Sequence, residues 1–162
     1  MRQEKAQTSL ELVFVVGFFL VIAIIIFPFI TKQNELNKAV AAARDGAVFA
    51  ASMRGMGYKG KDVTEAPEGI VKIERLKLVD KSGELTAEEK RMVQTWYQIR
   101  FQVSMQDYMK ENSTCTQTTI GSTIKNQALR YINYTFSGTW PSGIVSVVYT
   151  DRFKFTAACD FV

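Results

Sequence analysis

No charged side chain interrupts the stretch from Leu12 to Ile30, LVFVVGFFLVIAIIIFPFI, which lies between Glu11 and Lys32. As a helix rising about 1.5 Å per residue, it matches the ~30 Å of bilayer hydrocarbon. Helices in soluble cores are normally two-faced, with a polar side for solvent, whereas this stretch is apolar all round. It is also too long for the ~7–15-residue apolar region of a cleaved secretory signal. The residues after it, Thr31-Lys32-Gln33-Asn34, offer no small-residue cleavage site, and Ala41-Ala42-Ala43 lies too far downstream. The expectation is a retained membrane helix.

The helical pattern continues past Lys32. Leu36, Val40, Ala43, Ala47, Ala50 and Ala51 recur at helical spacings, with Lys32, Glu35, Lys38 and Arg44 between them. Gly55 and Gly57 end the pattern, as glycine past a helix commonly does. One helix is expected from about Thr8 to Arg54, on the order of 70 Å long. Pro28 lies inside it, where it removes a backbone hydrogen bond and favours a kink. The Ala-rich stripe from Ala39 to Ala51 offers a shallow surface for close packing, against the chain's own head or against neighbours.

Beyond the helix the pattern changes to period two. Tyr97, Ile99, Phe101, Val103 and Met105 alternate with Gln98, Arg100, Gln102 and Ser104, which marks a strand with one buried face. Phe153, Phe155, Ala157, Cys159 and Phe161 alternate in the same way with Arg152, Lys154, Thr156, Ala158 and Asp160. Val71 and Ile73 share one parity and Leu76 and Leu78 the other, which predicts a bulge near Glu74-Arg75. Weaker strands are expected over Leu129–Phe136 and Ile144–Thr150, joined by a turn over Gly138–Gly143, and Lys81-Ser82-Gly83 reads as another turn. Thr86-Ala87-Glu88-Glu89 has the form of a capping box opening one short helix to about Val93. The fold class expected is α+β: a long N-terminal hydrophobic helix, residues 7–55, then an antiparallel β-rich, sandwich-like head, residues 56–162.

Several function classes find no support. Histidine is absent and there are two cysteines, so zinc, haem and most transition-metal sites lack ligands. The sequence holds no nucleophile elbow, phosphate loop or histidine base, so no enzymatic activity, cofactor or metal is expected. Net charge is +4, but the basic residues are scattered along the sequence and not interleaved with aromatics, so nucleic acid is not an expected partner. Asp80, Glu84, Glu88 and Glu89 cluster around a turn and a short helix, where a solvated acidic face is the ordinary reading.

The residues before the apolar run add a motif. Gln7-x-Ser9-x-Glu11 followed by about twenty apolar residues resembles the class III signal sequence of archaeal type IV pilin precursors. In that family a prepilin peptidase cuts on the cytoplasmic side, just before the glutamine. The resemblance implies cleavage between Ala6 and Gln7, so that residues 1–6 are a leader and the helix stays in the mature subunit. Family precursors often have glycine before the cut, where this chain has the similarly small Ala6. The offset of Pro28 from Gln7 is similar to that of the helix-breaking proline in bacterial type IV pilins. The resemblance covers about 25 residues, and the head contributes a compatible architecture only.

Glu11 also has a physical reading of its own. A carboxylate at the lip of an apolar helix is tolerated more readily than one at the bilayer centre. If the chain starts at Gln7, the new α-amine lies four residues away, and in an axially offset bundle Glu11 of one subunit meets that amine on another. The alternative is an acidic residue favoured in the first turn of a helix, and Ser9 has a similar reading as a helix-start residue. In an exported head, Cys115 and Cys159 read as a disulfide, the alternative being two buried thiols. Two sequons, Asn112-Ser113-Thr114 and Asn133-Tyr134-Thr135, are candidate glycosylation sites, the first in a loop and the second on a strand facing solvent.

Together these readings give a pilin. Its precursor sits in the cell membrane, its partners are the peptidase and pilus assembly machinery, and it then polymerises with itself into an extracellular filament that adheres to surfaces or other cells. The alternatives are a minor pilin or archaellum-related component, or a single-pass membrane-anchored extracellular binding protein that does not polymerise.

Overall fold

The computed structural model describes residues 2–56, 58–59, 62–63, 69–106, 114–115 and 118–162, with side chains from residue 11 onward except at 58–59 and 62–63. The chain divides into two compact units, residues 1–37 and 38–162. Helix α1 spans Arg2–Gly55 and is unbroken at Pro28. It therefore begins earlier than the sequence pattern indicated.

In the first unit, α1 exposes large apolar side chains on every side, among them Leu12 at 66 %, Phe14 at 71 % and Ile24 at 71 %. By length and composition this helix can cross a membrane. Pro28 has no N–H to give to the turn before it. One turn later the Thr31 hydroxyl donates to the Pro28 carbonyl at 2.9 Å.

The second unit is the head, and in it the rest of α1 is a two-faced helix. Ala39, Ala42, Ala43, Ala47, Ala50 and Ala51 are buried, so the small-residue stripe packs within its own head. The tightest approach is to helix α3 (Thr119–Ser137): a Cβ added at Gly46 would lie 2.6 Å from the Gln127 carbonyl oxygen. Phe49 meets Tyr131 at 6.1 Å between ring centres, and Arg54 donates to the Thr123 hydroxyl at 2.8 Å.

Strands β1 (Tyr58–Lys59) and β2 (Asp62–Val63) form a small antiparallel pair. The main sheet holds β3 (Val71–Asp80), β4 (Thr95–Met105), β5 (Val148–Tyr149) and β6 (Phe153–Phe161), in the order β3-β4-β6-β5. The α+β class therefore holds, with a mostly antiparallel four-stranded sheet and a helical layer formed by α3 and the C-terminal part of α1. One face carries the core: Ile99, Phe101, Val103, Phe153 and Phe155 are fully buried, as are Ile124, Ala128 and Ile132 of α3. The expected bulge is present, since the β3–β4 register shifts between Ile73 and Arg75. The capping box is also present in helix α2 (Glu89–Met92): the Thr86 N–H donates to the Glu89 carboxylate at 3.1 Å, and the Glu89 N–H to the Thr86 hydroxyl at 3.3 Å.

Two expectations are corrected. Residues 129–136 are not a strand but the second half of α3. Isoleucine, tyrosine, threonine and phenylalanine there are strand-prone, yet Ile120, Ile124, Ala128 and Ile132 repeat every four residues and bury one helical face. Thr118 caps the helix start by accepting from the Gly121 N–H at 3.0 Å, and Gly138 ends it with φ +71°. As a result the sheet is mixed: β4 and β6 pair in parallel, with α3 in the crossover such a pair requires, while β3–β4 and β5–β6 are antiparallel. The strand expected over Ile144–Thr150 contracts to the two residues of β5.

Candidate assembly site and the clusters of the head

Ala6, Gln7 and Ser9 lie on the backbone of α1, with their side chains outside the described set. Glu11 is the first described side chain and is exposed. It stands directly before the bare apolar surface that begins at Leu12. The helix therefore presents a carboxylate at one end of a shaft with no polar side to turn toward water.

In the head, Cys115 and Cys159 are joined by a disulfide, with Cα atoms 5.4 Å apart across a separation of 44 residues. The bond ties the segment before α3 to the last strand. The Thr118 hydroxyl donates to the Cys115 carbonyl at 2.9 Å while accepting from the Gly121 N–H. Gly121 faces the bridge so closely that an added Cβ would lie 1.7 Å from the Cys115 carbonyl oxygen and 2.6 Å from Cys159 Sγ.

Asn112 lies outside the described residues. Asn133 is on α3 rather than on a strand, and is half-buried. Its side-chain oxygen accepts from the Ser137 hydroxyl at 3.0 Å, and the Thr135 hydroxyl of the same sequon donates to the Tyr131 carbonyl at 2.8 Å. The Asn133 amide oxygen and the Thr135 hydroxyl are thus both engaged within the helix.

Glu89 departs from the solvated-face reading of its acidic neighbours. Its carboxylate lies 2.6 Å from Lys154 Nζ, and the pair is largely buried, at 16 % and 9 % side-chain exposure. The Tyr149 hydroxyl donates to the same oxygen at 3.2 Å. The Lys154 ammonium also sits 3.9 Å above the Trp96 ring, whose indole N–H donates to Thr156 at 2.9 Å. Period-two parity put Lys154 on the open face, and it is buried because α2 closes over it. The Lys154 ammonium and the Thr86 N–H hold the Glu89 carboxyl at about 2, well below the usual range. A carboxyl lowered on folding adds stability above its unfolded value, and that contribution fades as pH falls through the folded one. Glu89→Gln should therefore lower the melting temperature near neutral pH. Its gap to the parent should narrow between about pH 4.5 and about pH 2, as thermal melts across that range would measure. A gap that does not change with pH would contradict this role.

Sequence reasoning missed one grouping. Lys72, Arg75, Lys77 and Arg100 are distant or alternating in sequence, yet strand pairing sets Lys77 directly opposite Arg100 and Arg75 opposite Gln102. Only the register of β3 on β4 reveals this. Compared with known proteins, the chain matches no family model, no curated protein and no solved structure.

Proposed function

We propose that this chain is a pilin: the structural subunit of an archaeal type IV pilus, processed before Gln7 and polymerised through α1. The observation that carries the reading is the first unit's helix, apolar on every side from Leu12 to Ile30 and bare in the isolated chain. Such a surface needs either lipid or other helices around it. At ~25 cal/mol per Å² of apolar surface, burial among neighbouring helices supplies a strong driving force for assembly. The Gln7-x-Ser9-x-Glu11 motif supports cleavage that leaves this helix at the mature N-terminus. In a staggered array Glu11 then meets the new α-amine of a neighbour, and in an apolar core that pair fixes register more than it adds net stability. A disulfide-locked head suits the exterior of a filament outside the cell. Adhesion to surfaces or other cells is the role proposed.

The test combines mechanical shearing of cells with intact-mass measurement. The protein should appear in the sheared filament fraction with Gln7 as its first residue. A chain that keeps Met1–Ala6 and stays wholly in the membrane fraction would instead be a single-pass anchored protein.

A further inference from the structure

On the face of the sheet turned away from the core, the bulge between Ile73 and Arg75 has a chemical consequence. Lys72 pairs with Ser104 before the bulge, and Arg75 and Lys77 pair with Gln102 and Arg100 after it. Paired residues share a face, and the fully buried Val103, Phe101 and Ile99 have Ile73, Leu76 and Leu78 as their partners. The extra residue, Glu74, thus resets the parity so that Lys72, Arg75 and Lys77 all lie on the outer face. Were Glu74 paired in register instead of bulged out, Arg75 would share the inward face of Val71 and Ile73.

All three side chains are exposed, as is Arg100. Among the described residues, the one ion pair made by these four side chains is that of Arg100 with Asp160, at 3.6 Å. Placing Lys77 directly opposite Arg100 juxtaposes like charges, which opposes pairing of the two strands. An anion bridging the two strands would relieve that repulsion.

We propose that this face binds an acidic polysaccharide, with Arg75, Lys77 and Arg100 contacting its carboxylate or sulfate groups and Lys72 extending the row. The neighbouring outer-face residues favour this ligand over other polyanions. Gln98, Gln102 and Ser104 line the same strand with neutral donors and acceptors suited to sugar hydroxyls. Single-stranded nucleic acid needs open aromatic platforms for its bases. Of the aromatic rings on this face, Trp96 is capped by the Lys154 ammonium, and Tyr149 stands on β5 at the far edge of the sheet, its hydroxyl donating to Glu89. The inference gives the adhesive role a ligand class and rests on the pilus reading for its cellular setting, while the binding itself is a property of the head.

The experiment uses the full chain in detergent, presented to immobilised alginate as the acidic polysaccharide. Neutral dextran, single- and double-stranded DNA and anionic phospholipid vesicles are the comparison ligands. Binding to alginate but not dextran is expected, weakening as NaCl screens the charges. The double variant Arg75→Gln/Lys77→Gln should lose affinity at least roughly tenfold, two charge-assisted contacts being removed. Lys90→Gln/Arg91→Gln, which removes the same charge from exposed positions in α2, should bind as the parent does. Thermal melts of the α2 variant should match the parent and those of Arg75→Gln/Lys77→Gln should match or exceed it, the like-charge pair being relieved, and Lys72→Gln supplies a milder variant on the same face. Equal loss in both double variants, tighter binding to DNA or vesicles than to alginate, or no alginate binding at low salt would each overturn the proposal. Failure of alginate binding by normal filaments overturns the ligand alone, while absence of the chain from filaments overturns the pilus reading alone.

Discussion

Cells producing Glu11→Gln in place of the parent chain should carry few or no surface filaments, while processed subunit accumulates in the membrane. Glutamine keeps the shape and most of the hydrogen-bonding capacity of glutamate and removes only the charge. Glu11 belongs to the first unit, outside the head, so the head's disulfide and melting behaviour should not change. On the proposed pilus reading, the lost interaction is the pair between Glu11 and the α-amine of a neighbouring Gln7. In an apolar core the amine is then left without its counter-charge, which is strongly unfavourable. Electron microscopy of the cells, with a blot confirming normal subunit levels, measures the outcome. Abundant filaments of normal length would reduce Glu11 to a residue favoured at a helix start.

The second large effect lies at the bridge. Gly121→Ala should destabilise the head by about 3 kcal/mol or more, because the new methyl must displace the Cys115 carbonyl rather than a flexible side chain. Removing the bridge itself, as Cys115→Ser/Cys159→Ser, should lower stability by about 2–4 kcal/mol, a shift of roughly 10 °C or more in melting temperature. Adding Gly121→Ala to the bridge-free chain should remain destabilising, since the carbonyl contact persists without the sulfur. Thermal melts of the four proteins test this. A Gly121→Ala head that melts with the parent would mean that the segment before α3 yields easily and that the close approach is not a constraint.

The legible parts of the fold were those fixed by local chemistry. The apolar run, the glycines that end α1, the capping box of Thr86 and Glu89 and the two parity-pure strands each depend on neighbours a few residues apart. Even the bulge was visible, because a change of parity between Ile73 and Leu76 leaves a trace in sequence. The misread element was α3, where strand-prone Tyr131, Ile132, Tyr134, Thr135 and Phe136 obscured a four-residue repeat and two good caps. That error carried into topology, since a strand at that place implies a hairpin, whereas a helix supplies the crossover for the parallel β4–β6 pair. Long-range placement was not legible at all. Lys154 is buried because α2 folds over it, and Arg100 faces Lys77 because of a register set across nearly the whole of two strands. In the candidate assembly site, the motif and apolar shaft were readable. Burial of the alanine stripe within the head was one of two open possibilities, and contacts at Gly46 and Phe49 decide it.

The central claim is that the apolar part of α1 exchanges lipid for other copies of itself. Electron cryomicroscopy of filaments sheared from cells tests this most directly. The account predicts subunits that begin at Gln7, with Leu12–Ile30 packed against the same segment of neighbouring copies along the filament axis and the heads outside. Filaments built without this chain, or the chain found only as separate molecules with α1 in the lipid, would contradict it.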